Sequence, residues 1–360
     1  MQIVVAKKGK VIYDRTFGTQ DIKTNHELAW DHLYDVASVT KVTATVPMLM
    51  KEFESGKITF DQTLGEIDPD LKTTNKNNLK VKEVLAHQAG LAPWIGFYKE
   101  TVNVKNARLY LDFYSRKQDD DHQIKVTDNI YIINSIKDSI YEDIAKSPVG
   151  KKVYEYSDLG YYIFQKKIEH DYQQSLADLV EEKFYKPLGM YRTTFRPKEK
   201  FDLAEIVPTA YDKTYRNQLV HGYVHDQGAA MMGGVAGHAG LFSTAIDLTK
   251  LMQLYLNKGT YGGQRYLEAK IIDQFTAKQY PMSQRGAGFD KSLIKSIRGA
   301  SSEAYGHFGF TGTLVWVDPK HELVFVFLSN RVNVSEENNL LSSKKVRENI
   351  LQAVYDAILP

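Results

Sequence analysis

The stretch Tyr34-Asp35-Val36-Ala37-Ser38-Val39-Thr40-Lys41 joins a short extended lead-in to a helix and places a serine at the join. From Thr40 onward, Val42, Val46, Leu49, Met50 and Phe53 recur at three- and four-residue steps until Gly56, the pattern of a helix with one buried face. Ser38 and Lys41 are three residues apart, so on such a helix they share a face within hydrogen-bond reach. A serine hydroxyl is a weak nucleophile until a neighbouring base takes its proton. A partly desolvated lysine can do that, or can tune a third group that does. The pattern S-x-x-K is common by itself: Ser292–Lys295 and Ser342–Lys345 repeat it, and an N-cap serine beside a solvated lysine accounts for any single copy.

With 360 residues the chain can bury a large core in one large or two interlocked domains. A hydrophobic share of 43% with a charged share of 25% is an ordinary globular composition. The net charge of +2 carries no basic stripe, so no nucleic-acid partner is expected. The longest apolar run, Leu323-Val324-Phe325-Val326-Phe327-Leu328, is far too short for a membrane span and suits a buried strand. The absence of cysteine excludes disulfides, thiolate metal sites and a thiol nucleophile. A strand pattern at Gln2–Ala6 with no signal-peptide layout before it suggests a domain cut from a longer precursor.

Residues 2–6 and 11–17 flank a glycine turn and read as a strand hairpin; residues 313–318 and 322–329 read as a second one around Asp318-Pro319. Helices are expected at 81–86, 130–145, 159–169, 176–185, from a Thr244 capping box to Gly259, and at 345–358, and no strand is expected between residues 92 and 146. The glycine-rich segment 228–240 has no phosphate-loop spacing and reads as close backbone packing. His221 and His225 could ligate zinc only on a helix, which Gly222 argues against, so neither metal nor other cofactor is expected. Strands at both chain ends imply a discontinuous α/β (α+β) architecture. Residues 1–60 and 241–360 would build a sheet-containing domain, residues 61–240 an inserted, mainly helical one, with the active site between them.

Two further pieces give Ser38 a context. Tyr154-Glu155-Tyr156-Ser157-Asp158 puts a tyrosine and a carboxylate two residues apart just before a helix, and Gly306-His307-Phe308-Gly309-Phe310-Thr311-Gly312 precedes the C-terminal hairpin with glycines that open a strand edge. In this order the pieces resemble the serine β-lactamase and penicillin-recognising family, most closely its class C β-lactamase-like esterases and peptidases. Ser38-Val39-Thr40-Lys41 matches the nucleophile motif, Tyr156-Ser157-Asp158 matches Y-x-N, and His307-Phe308-Gly309 matches K-T-G, often H-T-G in this branch. Residues 85–91, 240–245 and 316–319 match supporting segments, and the resemblance covers nearly the whole chain. The wording of residues 92–98 and 329–332 also resembles the hydrolase half of exported bacterial proteins in which a family 3 glycosidase precedes such a domain. A periplasmic or exported location and an N-terminal glycosidase partner domain are what that likeness implies.

The resemblance implies a β-lactamase/transpeptidase-like fold, an antiparallel sheet flanked by helices with an inserted all-helical domain. It further implies that Ser38 attacks a carbonyl and forms an acyl-enzyme while Lys41 and Tyr156 share its proton. The oxyanion hole would map to the amides of Ser38 and Phe310, with Asp158, His307 and Gly309 lining the substrate cleft. Asp158 stands where the family often has asparagine, and Phe308 where threonine usually offers a hydroxyl. An ionised aspartate only accepts hydrogen bonds, so Asp158 is expected to hold Lys41 rather than substrate. With His307 in place of lysine, the cleft is expected to suit neutral esters or D-amino-acid derivatives better than anionic β-lactams. Carboxylesterase, D-amino-acid peptidase acting on cell-wall peptides, and β-lactamase remain open, as does a silent homologue that only binds such peptides.

Overall fold

The computed structural model describes residues 1–21, 25–333, 335, 337 and 339–358. Both chain ends build one five-stranded antiparallel sheet, in the order Tyr305–Phe308, Leu314–Asp318, Leu323–Leu328, Gln2–Lys7, Lys10–Thr16. Val4 is paired with Val326, and Val326 with Val315, so β-branched side chains meet across the three central strands. Alternation then sends successive residues to opposite faces. Val4, Val315, Val324 and Val326 join the main core with Leu248, Leu251 and Tyr255 of the Ala245–Leu256 helix. Ile3, Val5, Trp316, Phe325 and Phe327 form a second core with Leu351 and Tyr355 of the Val346–Ile358 helix. There the buried Trp316 indole donates to the Tyr355 hydroxyl at 3.1 Å, which in turn donates to Asp318 at 2.6 Å. Covering both faces explains why the run at 323–328 is apolar throughout rather than alternating.

The helix that follows Ser38 runs through the main core. Lys41–Thr45 forms one π turn, closed by Val46 N–H on Lys41 O, and Val46–Glu54 continues as α-helix. The wide turn leaves Val42 O without its usual partner, and Pro47 has no N–H to offer Thr43 O. Two buried tyrosines fill these vacancies: Tyr255 donates to Val42 O and Tyr185 to Thr43 O, each at 2.9 Å.

Two expectations are corrected. The helix expected over 130–145 begins only at Ile136, because Ile130–Ile132 pairs with Ile124–Thr127 across an Asp128-Asn129 turn. Short strands at Val102–Asn103, Arg108–Leu109 and Tyr114–Ser115 also occupy the segment in which no strand is expected. Residues 159–172, 245–256 and 346–358 are helical close to where their patterns place them. In the glycine-rich segment, a Cβ at Gly237 would lie 2.2 Å from Tyr161 O and one at Gly228 2.2 Å from the Tyr162 hydroxyl, so close packing is the reason for these glycines.

Candidate active site

Ser38 is presented by a tight turn. Ala37 precedes it with φ of 48°, a left-handed conformation that costs a non-glycine residue of order 1–3 kcal/mol. The Asp35 carboxyl secures that turn by accepting from Ala37 N at 2.8 Å and from His225 N at 2.7 Å. The Ser38 hydroxyl does not cap the helix. Instead it accepts from Lys41 Nζ at 3.0 Å. Lys41 is wholly buried; its ammonium also reaches His238 O at 3.2 Å and lies 2.6 Å from Asp158 Oδ1.

Tyr156 and Asp158 are delivered by the entry to the Leu159–Tyr172 helix. Ser157 takes the capping duty, its Oγ accepting from Leu159 N at 3.2 Å and donating to Ala92 O at 2.6 Å, which leaves the Asp158 carboxylate available to Lys41. His87, at φ 56°, accepts from Ser157 N at 3.2 Å, and its ring packs on Tyr156 with centroids 4.5 Å apart. Lys41 Nζ lies 5.1 Å from the centroid of the Tyr156 ring, and the buried Tyr156 hydroxyl stands near Ser38 and Lys41 with no hydrogen-bond partner among the described residues.

The third wall is the turn after Tyr305–Phe308. Thr311 and Thr313 donate to Asp35 O at 2.7 Å and Val36 O at 3.0 Å, tying this turn to the segment that carries Ser38. Gly309 permits the approach, since a Cβ there would be 2.0 Å from Thr313 Oγ1 and 2.5 Å from Val36 O. Among the described residues, neither Ser38 N–H nor Phe310 N–H donates a hydrogen bond, and both residues line the same cavity. His307 Nδ1 is 2.7 Å from Phe308 O, and its buried Nε2 has no partner among the described residues.

The charges are set by burial against neighbours. Burial works to lower the Lys41 pKa, but Asp158 and then Tyr156 outweigh it and the net direction is upward, so Lys41 is an ammonium. Burial pushes the Tyr156 phenol up, with Lys41 opposing and Asp158 reinforcing. Burial, followed by the positive charges of Lys41 and Arg285, drives His307 well below the usual imidazole range, and it is neutral at pH 7. These groups open on a cavity of about 780 Å³.

Residues 1–343 match the family model described as Beta-lactamase. The chain belongs to the β-lactamase family. By that membership it is a serine-type hydrolase. It is 32% identical over 326 residues to a Salmonella agona protein provisionally named D-alanyl-D-alanine carboxypeptidase, covering 83% of this chain and 69% of that one. The octameric penicillin-binding protein homologue of Pyrococcus abyssi superposes with a TM-score of 0.67 at 19% identity, over 96% of this chain and 76% of its own. The D-amino acid amidase of Ochrobactrum anthropi SV3 gives 0.67 at 16% identity, over 99% and 93%. At such identities these two show the fold, which is the penicillin-binding and β-lactamase fold. The glycosidase fusion expected from residues 92–98 and 329–332 finds no support in these relatives.

Within this β-lactamase-family cleft, Ser38, Tyr156, Asp158, His307, Gly309 and Phe310 all line one cavity, with Lys41 buried directly behind Ser38. The other two S-x-x-K stretches do not assemble such a group: Ser292 begins a short 3-10 turn, and the Ser342 hydroxyl accepts from Arg347 at 3.4 Å. His221 and His225 diverge, the first 2.6 Å from Ile206 O and the second stacked on Phe310. Arg285, Arg331 and Arg347 line the cleft as well, cations that the expectation argued from His307 did not include. Arg285 Nη2 donates to the Tyr154 hydroxyl at 2.7 Å and lies 3.0 Å from Asp290, while its buried Nη1 has no partner among the described residues. Arg331 and Arg347 lie over the rings of Phe310 and Phe308 at 4.5 and 4.7 Å. No spacing rule points to these arginines, since they come from three distant segments that only the tertiary fold brings together.

Proposed function

We propose that this chain hydrolyses an amide or ester bond through an acyl-enzyme on Ser38, and that its substrates are peptides ending in a D-residue with a free carboxylate. The observation that carries the reading is the Ser38–Lys41–Asp158 line, at 3.0 and 2.6 Å, beside two residues whose amides donate no hydrogen bond among the described residues, in a cavity containing three guanidiniums. Ser38 Oγ attacks the scissile carbonyl and passes its proton into the Lys41/Tyr156 pair. The oxyanion is held by the amides of Ser38 and Phe310, where losing one donor costs on the order of 10²–10³ in kcat. The pair returns the proton to the leaving amine as the C–N bond breaks. Water then attacks the Ser38 ester, giving its proton to the pair, and Ser38 recovers a proton as the acid departs.

Both Lys41 and Tyr156 favour their protonated forms at rest, so the base appears only when the pair loses a proton, and the two titrate as a unit. The guanidiniums support recognition of a terminal carboxylate, as Arg presents paired donors to such a group. The provisional carboxypeptidase name of the Salmonella relative points the same way. The test is intact mass after a fluorophosphonate, with kinetics on a peptide ending in D-Ala-D-Ala and on its C-terminal amide. The expected result is one adduct on Ser38, none on Ser38→Ala, and preference for the free acid. An adduct on Ser292 or Ser342, or equal turnover of acid and amide, would contradict the reading.

A further inference from the structure

Residues 224–242 line two separate cavities. Asp226, Gln227, His238 and Ala239 face the Ser38 cavity, whereas Val224, Met232, Val235 and Phe242 face a second one of about 640 Å³. The floor of the second cavity is apolar: Val126, Val224, Met232, Val235 and Phe242 are buried there, and Ile124 is half-buried. Its rim is charged, with Lys125, Lys137, Arg196 and Lys198 against Asp128, Glu169 and Glu199. Asp128 is shared, lying 2.5 Å from Lys198 and 3.5 Å from Lys125 and accepting from the Tyr223 hydroxyl at 2.5 Å. Arg196 pairs with Glu199 at 3.5 Å, and Glu169 accepts from the Gln165 amide and Leu176 N–H. Lys137, exposed on the first turn of the Ile136–Lys146 helix, is in no ion pair among the described residues. One positive charge is therefore left over at the mouth of an apolar well whose size is ordinary for a small ligand.

We propose that this cavity binds an amphipathic monocarboxylate, an apolar body with one acid group such as a medium-chain acyl anion, and that its occupancy is transmitted to Lys41. The path is short. Gln165 lines the cavity and clamps the segment beyond it, its amide donating to Val235 O at 3.1 Å and accepting from Gly237 N at 2.9 Å. Thr45, on the helix that follows Ser38, donates to Gly237 O at 2.6 Å, and the next carbonyl, His238 O, is the one that Lys41 reaches at 3.2 Å. Gly237 packs against Tyr161 O with no room for a Cβ, so a shift at Val235 cannot be absorbed there and passes to His238. For reversible binding the coupling is reciprocal, so a ligand held in the Ser38 cavity changes affinity at the second cavity by the factor by which its own affinity is changed.

The experiment is calorimetric titration with sodium decanoate below its micellar range, on the unmodified protein and on Ile124→Trp, Lys137→Glu and Arg285→Gln. One saturable site is expected, at least tenfold weaker in the first two variants and unchanged in Arg285→Gln; decylammonium should bind at least tenfold more weakly than decanoate. Lys137→Glu, on the exposed rim, keeps the test decisive if Ile124→Trp does not fold. Absence of saturable binding, equal binding of decylammonium, or binding lost only in Arg285→Gln would overturn the site. Hydrolysis of a short p-nitrophenyl ester should show kcat changing with decanoate over the same concentration range that fills the site, and an unchanged kcat at full occupancy would overturn the coupling. The coupling rests on the reading of Lys41 as part of the proton-transfer pair, but binding is measured without turnover, so the two ideas fail separately.

Discussion

Lys41 and Lys76 are both fully buried, yet they are held in opposite ways. Lys41 faces a carboxylate, Asp158, at 2.6 Å, and its pKa moves upward in spite of burial. Lys76 is ringed by neutral oxygens alone, Ser147 O at 2.6 Å, Asn75 Oδ1 at 2.9 Å and Ala145 O at 3.2 Å, and burial brings its pKa down to about 8. Lys291, on two backbone carbonyls, behaves like Lys76. Burial by itself brings a lysine's pKa down toward neutrality; a single anionic neighbour is enough to reverse that direction. In the family pattern an asparagine often stands where this chain has Asp158, so the residue that departs from the pattern is the one that raises the pKa of the lysine beside Ser38.

The largest expected effect comes from removing the cation or its partner phenol. Lys41→Ala and Tyr156→Phe should each lower kcat on a neutral ester by roughly 10²–10⁴-fold, and the double variant should lose little more than either. Additive losses in stopped-flow acylation rates would mean that the two do not act together. Lys76→Met should leave those rates alone, which is the sharpest contrast between the two lysines.

A smaller effect is expected at Arg285. Replacing its guanidinium by an amide in Arg285→Gln removes a charge-assisted contact of about 1.5–3 kcal/mol, or roughly 10- to 100-fold in kcat/KM for a peptide with a free carboxylate. The C-terminal amide should be affected by less than about threefold on the same grounds. Parallel losses on acid and amide would show that Arg285 shapes the cavity and does not read charge.

How much of this was legible in the sequence follows from how local each feature is. The Ser38–Lys41 pair and the Tyr156–Asp158 spacing lie within one helical turn or one helix entry, and the strand alternation at both ends sets the sheet. The hairpin at 124–132 was not legible, because Ile130, Ile133, Ile136, Ile140 and Ile144 continue a helical step straight through the turn. Arg285, Arg331 and Arg347 were not legible either, since a cavity's charge depends on which distant segments face it. The same holds for His238, whose backbone carbonyl, not its side chain, meets Lys41.

The smallest effect lies in stability. Lys76 has a folded pKa depressed to about 8 from 10.5, so between those pH values the unfolded chain binds more protons than the folded one, and stability from this group rises with pH across that window. Urea unfolding of Lys76→Met at several pH values should show that rise reduced, with a general loss of about 1–3 kcal/mol because Asn75 Oδ1 and Ala145 O lose the Lys76 donor, whereas Ser147 O keeps the Asn75 amide. An identical pH slope in variant and unmodified protein would remove Lys76 from the comparison.

The central claim, that Asp158 keeps Lys41 charged, is tested most directly by NMR titration of the Lys41 ε-methylene in ¹³C-lysine-labelled protein, unmodified and Asp158→Asn, assigned with Lys41→Met. The negative charge of Asp158 favours the protonated forms of both Lys41 and Tyr156, so its removal must lower both. In the unmodified protein the Lys41 signal should show no titration through the range in which Lys76 loses its proton, whereas in Asp158→Asn its midpoint should fall toward the value of about 8 held by Lys76. The acid limb of kcat/KM should move down in pH with it. A Lys41 midpoint that is the same in both proteins, or one that rises in Asp158→Asn, would contradict the account.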